Sequence, residues 1–221
     1  MYLISTINKK ILNKHKKEAL TLCSKILGNF FSDFDEKFFH FLTNSKIRSK
    51  MFDLLNMNIS LQSLNYIICK RLEKKFKEKF INWTYPQIRI DGKFSKKFYA
   101  PIHKDKWILD KNKKGYIVWF PLNKSGGSLF VSKRKKMRKV IADKYWGIKC
   151  IDKNIVFEKL HIKYGEFLIF DSETIHKSVI NQNRISVQFR YEVLDKKFKK
   201  RSINQVISKD VKKYWLKQST N

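Results

Sequence analysis

The sequence predicts a mainly β fold with helical support, in the α+β class. Apolar residues recur at helical spacing up to about residue 80, whereas short β-branched and aromatic segments separated by turns follow Pro86. We find no internal repeat and no linker, so the 221 residues are predicted to form one domain. Residues 1–84 form its mostly helical part, residues 85–193 its β core, and residues 194–221 carry a last helix over 202–216.

Three helices are predicted in the first part of the chain. The first has an apolar face that runs to Leu27, and it ends at Gly28, because glycine is a common helix stop. The second covers residues 33–42 and the third residues 63–80, each with Phe, Leu or Ile along one side. The lysines on the rest of the third helix indicate a solvated face rather than a binding patch.

Short strands follow, separated by turn residues such as Gly126-Gly127 and Tyr164-Gly165. The predicted strands cover residues 87–90, 115–122, 128–131, 155–162, 166–170, 178–180 and 185–193. Several short strands with the helices gathered at the front of the chain predict a β-barrel or sandwich with a helical support layer.

The chain is strongly basic. It has 49 Lys and Arg against 19 Asp and Glu, a formal net charge of +30. Such an excess is typical of proteins that bind nucleic acid, an acidic membrane surface or a polyanionic substrate. The abundance of Lys, Asn, Ile and Phe equally fits the composition that an A+T-rich genome favours, and both explanations stay open.

The three cysteines, Cys23, Cys69 and Cys150, are too few and too widely spaced to predict a disulfide scaffold or a zinc ribbon. No run of 18 apolar residues is present, so no membrane span is predicted. The first residues lack the pattern of a secretion signal. We therefore predict a cytoplasmic protein.

Three residues have the chemistry of a metal site. His103 and Asp105 lie two apart on a segment that is predicted to be extended, so their side chains should point to the same face. His176 follows the predicted strand 166–170 after a short loop, a position from which a side chain can face a cavity. Two imidazoles and one carboxylate on one face of a metal ion are typical of non-heme iron(II) oxygenases. The alternative is that the three are unrelated surface and strand-end residues. The other histidines are predicted to be core, surface or strand-edge residues: His15, His40 and His161.

Arg184 and Ser186 add a candidate carboxylate-binding pair to the three candidate metal ligands. A buried arginine donates charge-assisted hydrogen bonds to a carboxylate, and a serine two residues later adds a hydroxyl. The distal carboxylate of 2-oxoglutarate requires hydrogen-bond donors of this kind. The alternative is a salt bridge from Arg184 to an acid such as Asp171 or Glu192.

With these residues in this order, the chain resembles iron(II)- and 2-oxoglutarate-dependent oxygenases of the phytanoyl-CoA dioxygenase-like superfamily. Within it, the chain is most similar to the oxygenases of carbohydrate and aminoglycoside biosynthesis clusters, including the sporadic carbohydrate cluster oxygenases. The resembling segments are residues 87–91, 101–107, 118–122, 165–170 and 176–190, within about half of the chain.

The resemblance implies a double-stranded β-helix core, also called a jelly roll or cupin-like fold, in which His103, Asp105 and His176 bind iron. It further implies that two residues bind 2-oxoglutarate: Arg184 and Ser186.

The chain departs from the family pattern near this second site. The segment between His176 and Arg184 is shorter than usual, which makes Arg190 a rival for the arginine role. Lys177 stands where glycine is common, and the glycine that often follows the motif tryptophan is missing after Trp107.

Gln87 is a further candidate for the cofactor site. It shares a strand face with Arg89, because side chains alternate along a strand. Both therefore point inward or both outward, and Arg89 either reaches the pocket or forms a surface pair with Asp91.

The implied activity is hydroxylation of a small molecule with iron(II), 2-oxoglutarate and O2. The implied substrate is anionic or sugar-linked, for example a nucleotide- or phosphate-linked sugar of polysaccharide biosynthesis, and a reducing cytoplasm suits ferrous iron. Two alternatives stay open. One is a basic nucleic-acid-binding protein with a non-catalytic barrel, suggested by the clusters at 133–136 and 196–201. The other is a metal-dependent cupin-like isomerase, in which Arg184 need not point toward the metal.

Overall fold

The structure of the chain is a computed structural model that describes residues 2–82, 87–92, 102–107, 114–133, 141–142, 148–150, 155–179 and 182–194. The described helices are α1 (Lys9–Leu27), α2 (Glu36–Phe41), α3 (Ser45–Asn56) and α4 (Ile59–Phe76), and a 3₁₀ turn spans Asp105–Trp107. The described strands are β1 (Tyr2–Thr6), β2 (Phe80–Asn82), β3 (Gln87–Asp91), β4 (Gly115–Pro121), β5 (Gly127–Ser132), β6 (Ile141–Ala142), β7 (Ile148–Cys150), β8 (Phe157–Ile162), β9 (Glu166–Asp171), β10 (His176–Ser178) and β11 (Arg184–Val193).

The described strands form antiparallel sheets, so the predicted α+β class with a β-rich core is confirmed. The large sheet has the order β1-β9-β4-β11-β2, and β3 also pairs with β11. The small sheet has the order β10-β5-β8, and β6 pairs with β7 as a separate hairpin. β11 is the central element, because it pairs with β4 along one edge and with β2 and β3 along the other.

The middle of the large sheet, formed by β9, β4 and β11, is buried on both faces because it lies between the helices and the small sheet. Side chains on one face, such as Val118 and Phe189, pack in the same core as the helices. Side chains on the other face, such as Trp119, pack against Leu129 and Val131 of the small sheet. Since side chains alternate along a strand, the even-numbered residues of β11 face the space between the two sheets. That space holds the candidate site.

Two predicted helices are confirmed in position, and the third is shifted. α1 ends at Gly28, which adopts the left-handed conformation with φ 65°. α2 lies within the predicted range 33–42. α4 begins and ends four residues earlier than predicted, because the Asn58 side chain accepts a hydrogen bond from the Leu61 N–H and the chain leaves the helix at Lys77.

The sequence did not predict α3 or β1. The predicted C-terminal helix over 202–216 lies outside the described residues, as does the basic cluster at 196–201. None of the helices in the described ranges is both long and apolar enough to cross a membrane.

Candidate metal centre

His103 and His176 form an isolated antiparallel bridge. The N–H of each donates to the carbonyl oxygen of the other, and both N···O distances are 3.0 Å. Residues that exchange both backbone hydrogen bonds carry their side chains on the same face. Accordingly, the two imidazole rings lie side by side with centroids 4.2 Å apart.

Asp105 reaches the same point by a different local structure than predicted. It begins a 3₁₀ turn instead of continuing an extended segment, so the predicted alternation is wrong here. The turn is held where the Lys106 N–H donates to the carbonyl oxygen of Ser172 at 2.9 Å. This contact turns the Asp105 carboxylate toward His176, with Oδ2 at 3.4 Å from Nε2.

One ligand atom from each of His103, Asp105 and His176 lies within 4.8 Å of the other two. Metal bonds of about 2.1 Å that meet near a right angle place neighbouring ligand atoms roughly 3 Å apart. The three predicted ligands are therefore brought together as a group that could hold one metal ion, with side chains that would draw closer around it.

His176 is prepared for such a bond by its second nitrogen. Nδ1 lies 3.1 Å from the carbonyl oxygen of Thr174, and because a carbonyl only accepts, Nδ1 carries the hydrogen. Burial lowers the pKa of His176 below its usual value, against the opposing charge of Asp105, so the ring is neutral at pH 7. The free lone pair is then on Nε2, the atom that faces Asp105.

Asp105 is fully buried, and its charge is matched by β11. Arg190 donates to Oδ1 through Nε at 2.8 Å and Nη2 at 2.6 Å, and Gln188 donates to Oδ2 at 2.7 Å. Burial alone raises the pKa of this carboxyl, but the Arg190 guanidinium and the two imidazoles outweigh it and hold the pKa at about 2. Asp105 is therefore an anion whose orientation is fixed.

The sequence predicted Arg190 as a rival for the co-substrate arginine, and the structure places its guanidinium on Asp105 instead. Gln188 was missed altogether. The signal available in the sequence was alternation along β11, which puts Arg184, Ser186, Gln188 and Arg190 on one face.

Arg184 is completely buried between the two sheets. It donates to the carbonyl oxygen of Ser128, to Asp91 and, at 3.3 Å, to the Ser178 hydroxyl. Its guanidinium also lies over the Trp119 ring, 5.2 Å from the centroid. The acid that pairs with Arg184 is thus Asp91, its direct partner in the β3–β11 register, and neither of the acids named from the sequence.

Arg184 lies near the metal ligands along the small sheet. His176 and Ser178 pair with Val131 and Leu129 of β5, whose side chains point between the sheets, so both face the same interior. Two residues along a strand span roughly 7 Å. The Arg184 contact with Ser178 therefore places its guanidinium about one strand repeat from His176.

Polar atoms around Arg184 have hydrogen-bonding capacity to spare. Within the described ranges, Arg184 Nε and the Ser186 hydroxyl have no hydrogen-bond partner, although both residues are fully buried. Buried polar atoms are normally satisfied, so this pair of atoms has hydrogen-bonding capacity that a polar ligand could meet.

β3 supplies the remaining predicted residues. Gln87, Arg89 and Asp91 lie opposite Gln188, Ser186 and Arg184 in the β3–β11 register. They therefore share the inner face, with Gln87 half-buried and the Arg89 side chain 27% exposed. Arg89 does pair with Asp91, at 3.5 Å, but the pair lies inside and not at the surface.

No protein-family profile matches the chain, and no curated protein matches it. Among solved structures, AviO1 from Streptomyces viridochromogenes Tue57 is similar with a TM-score of 0.51 and 13% identity over 91% of this chain and 92% of that chain. The non-heme monooxygenase ThoJ in its nickel complex has a TM-score of 0.47 and 12% identity over 87% and 73% of the two chains. EvdO2 from Micromonospora carbonacea var. aurantiaca with 2-oxoglutarate has a TM-score of 0.42 and 14% identity over 94% and 100%. The AviO1 match is a likeness of fold alone.

Proposed function

We propose that this chain is an iron(II)- and 2-oxoglutarate-dependent dioxygenase that hydroxylates a small molecule. The observation that carries the proposal is one arrangement in space: two imidazoles and a carboxylate meet at one point, and a buried arginine lies about one strand repeat away on the same interior. We further propose that the two facing sheets are a double-stranded β-helix of the phytanoyl-CoA dioxygenase-like superfamily.

His103, Asp105 and His176 would hold iron(II) from one side and leave its other positions open. When bound there, iron(II) with 2-oxoglutarate and O2 would supply the oxidising power for hydroxylation of a C–H bond, with succinate and carbon dioxide as co-products. Gln188 and Arg190 fix the carboxylate of Asp105.

Arg184 and Ser186 would bind the distal carboxylate of 2-oxoglutarate. The unpartnered Nε–H of Arg184 and the unpartnered Ser186 hydroxyl are donors of the required kind.

The position of Arg184 also favours this function over a metal-dependent isomerase. Such an isomerase does not bind 2-oxoglutarate, whereas Arg184 Nε offers an unpartnered donor for its distal carboxylate. For the substrate we propose a sugar or a nucleotide- or phosphate-linked sugar, which fits the basic character of the chain, and we propose the reducing cytoplasm as the place of action.

The test is anaerobic titration of the iron(II) protein with 2-oxoglutarate, followed by the visible charge-transfer absorption that a 2-oxo acid gives when it chelates iron(II). We expect a saturable band in the wild type and none in His176→Ala. The matched control is His40→Ala, an exposed histidine on α2, which should keep the band. On admission of O2, succinate should form with the wild type and His40→Ala and should not form with His176→Ala. An equal response from wild type and His176→Ala would overturn the proposed function.

A further inference from the structure

Asp91 already occupies the guanidinium that the co-substrate needs. It is 4% exposed, lies directly opposite Arg184 in the β3–β11 register, and accepts a hydrogen bond from Nη2. Nη1 donates to the carbonyl oxygen of Ser128. A carboxylate bound by a guanidinium prefers two parallel N–H donors, and in Arg184 one edge of that fork is taken by Asp91.

A second arginine already shares the same aspartate. Arg89 Nη2 lies 3.5 Å from Asp91 Oδ1, on the side away from Arg184, and its side chain is 27% exposed whereas Arg184 is fully buried. Asp91 Oδ1 has no hydrogen-bond partner among the described residues. A small rotation of the Asp91 side chain would release Arg184 and leave Asp91 paired with Arg89 alone.

We propose that Asp91 is an internal carboxylate that occupies Arg184 until the distal carboxylate of 2-oxoglutarate replaces it, and that Arg89 then receives Asp91. This inference rests on the proposed function. Asp91 and Arg89 together set the affinity for the co-substrate.

The exchange keeps every buried charge paired. Before binding, Arg184 and Arg89 share Asp91; after binding, Arg184 has the co-substrate carboxylate and Asp91 keeps Arg89. Neither the buried arginine nor the buried aspartate is left alone, a state that is strongly unfavourable inside a protein. Because the fraction of molecules with a vacant Arg184 is small, the apparent affinity for 2-oxoglutarate is lowered by that fraction.

Two variants act in opposite directions. Asp91→Asn keeps the shape and removes the competing charge, so the dissociation constant of 2-oxoglutarate should fall by at least about fivefold. Arg89→Gln removes the residue that receives Asp91, so the dissociation constant should rise by a similar factor. In the double variant the effect of Arg89→Gln should vanish, because no displaced charge remains to be received.

The measurement is the anaerobic charge-transfer titration of iron(II) protein, with calorimetric titration of the metal-free protein with glutarate as a readout independent of iron. The control is Asp53→Asn, which makes the same charge change on an exposed residue of α3 and should leave both constants unchanged. If Asp91 instead merely orients Arg184, Asp91→Asn will weaken binding, and that result or an unchanged constant overturns the inference.

Should Asp91→Asn fail to fold, Arg89→Gln alone decides, since an unchanged dissociation constant contradicts the exchange. Failure of the proposed function looks different. In that case the wild type gives no charge-transfer band, or gives one that His176→Ala retains, and both proposals are then wrong.

Discussion

His103 and His176 donate backbone hydrogen bonds to each other, each at 3.0 Å, across an isolated bridge that is not part of a longer strand pair. The bridge joins two segments that are far apart in the chain and sets their imidazoles on one face. Since its hydrogen bonds involve only the main chain, either side chain can be removed without breaking it. The ligand role of each imidazole can therefore be tested separately from the fold.

Replacing His103 or His176 with alanine should abolish tight binding of iron(II). Loss of a ligand should cost more than the about 10- to 100-fold that loss of an outer hydrogen-bond partner costs. The measurement is competition with a chelator of known affinity, with thermal unfolding of the metal-free proteins as the check on folding. His161→Ala, an exposed histidine on β8, serves as the control. Stoichiometric iron(II) binding by His103→Ala would remove His103 from the site.

Arg190→Lys separates the two roles considered for this arginine. Lysine keeps the charge but cannot present Nε and Nη2 together to Asp105 Oδ1. We expect iron(II) affinity to fall by about 10- to 100-fold, with the affinity for 2-oxoglutarate at saturating iron nearly unchanged. The opposite split, with weakened 2-oxoglutarate and unaffected iron, would show that Arg190 binds the co-substrate. Arg71→Lys on the exposed side of α4 is the matched control.

The local order of the chain was enough to predict which three side chains the structure brings together. His103, Asp105 and His176 each stand in a recognisable local context, and the strands around them follow from β-branched and aromatic runs. The 3₁₀ turn at Asp105 did not follow, because it depends on the Ser172 carbonyl oxygen, which a distant segment supplies. β1 was missed because a short strand at the edge of a sheet has little pattern of its own.

The side-chain partners of β11 could not be predicted from the sequence either, because they too are supplied by segments far away in the chain. Alternation puts Arg184 and Arg190 on one face, but only the register of β11 with β3 pairs Arg184 with Asp91. Likewise, the contact of Arg190 with Asp105 arises from the position of a turn, not from spacing. Sequence patterns gave the face of each side chain, whereas its partner depends on long-range packing.

Gly127→Ala should disturb Arg184 without touching the metal ligands. A Cβ at this position would lie 2.8 Å from Arg184 Cδ, closer than real Cβ contacts allow, and 3.3 Å from the Trp119 ring, a tight contact. Arg184 must shift, so we expect the dissociation constant of 2-oxoglutarate to rise by about 10-fold, with iron(II) affinity unchanged. Gly28→Ala is the control: it strains a helix end with φ 65° and should lower stability by about 1 kcal/mol without changing co-substrate affinity. Unchanged 2-oxoglutarate binding in Gly127→Ala would indicate that Arg184 is not part of its site.

Cys23 should make the protein less stable in alkali. Burial in α1 raises the pKa of this thiol to about 12, whereas an unfolded thiol has a pKa of about 8.5. The folded state therefore keeps a proton that the unfolded state loses, so the stability is complete below about pH 8.5 and falls as the pH rises toward 12.

We expect the free energy of unfolding of the wild type to fall relative to that of Cys23→Ala by about 1.4 kcal/mol per pH unit between about pH 9 and about pH 11. Urea unfolding at several pH values measures it, and titration of the many lysines cancels in the comparison. Thr21→Ala, at an exposed position of the same helix, should show no such trend. A constant difference between wild type and Cys23→Ala across this range would mean that the thiol reaches solvent and ionises in the folded protein, and that α1 packs less tightly against the sheet than its full burial of Cys23 indicates.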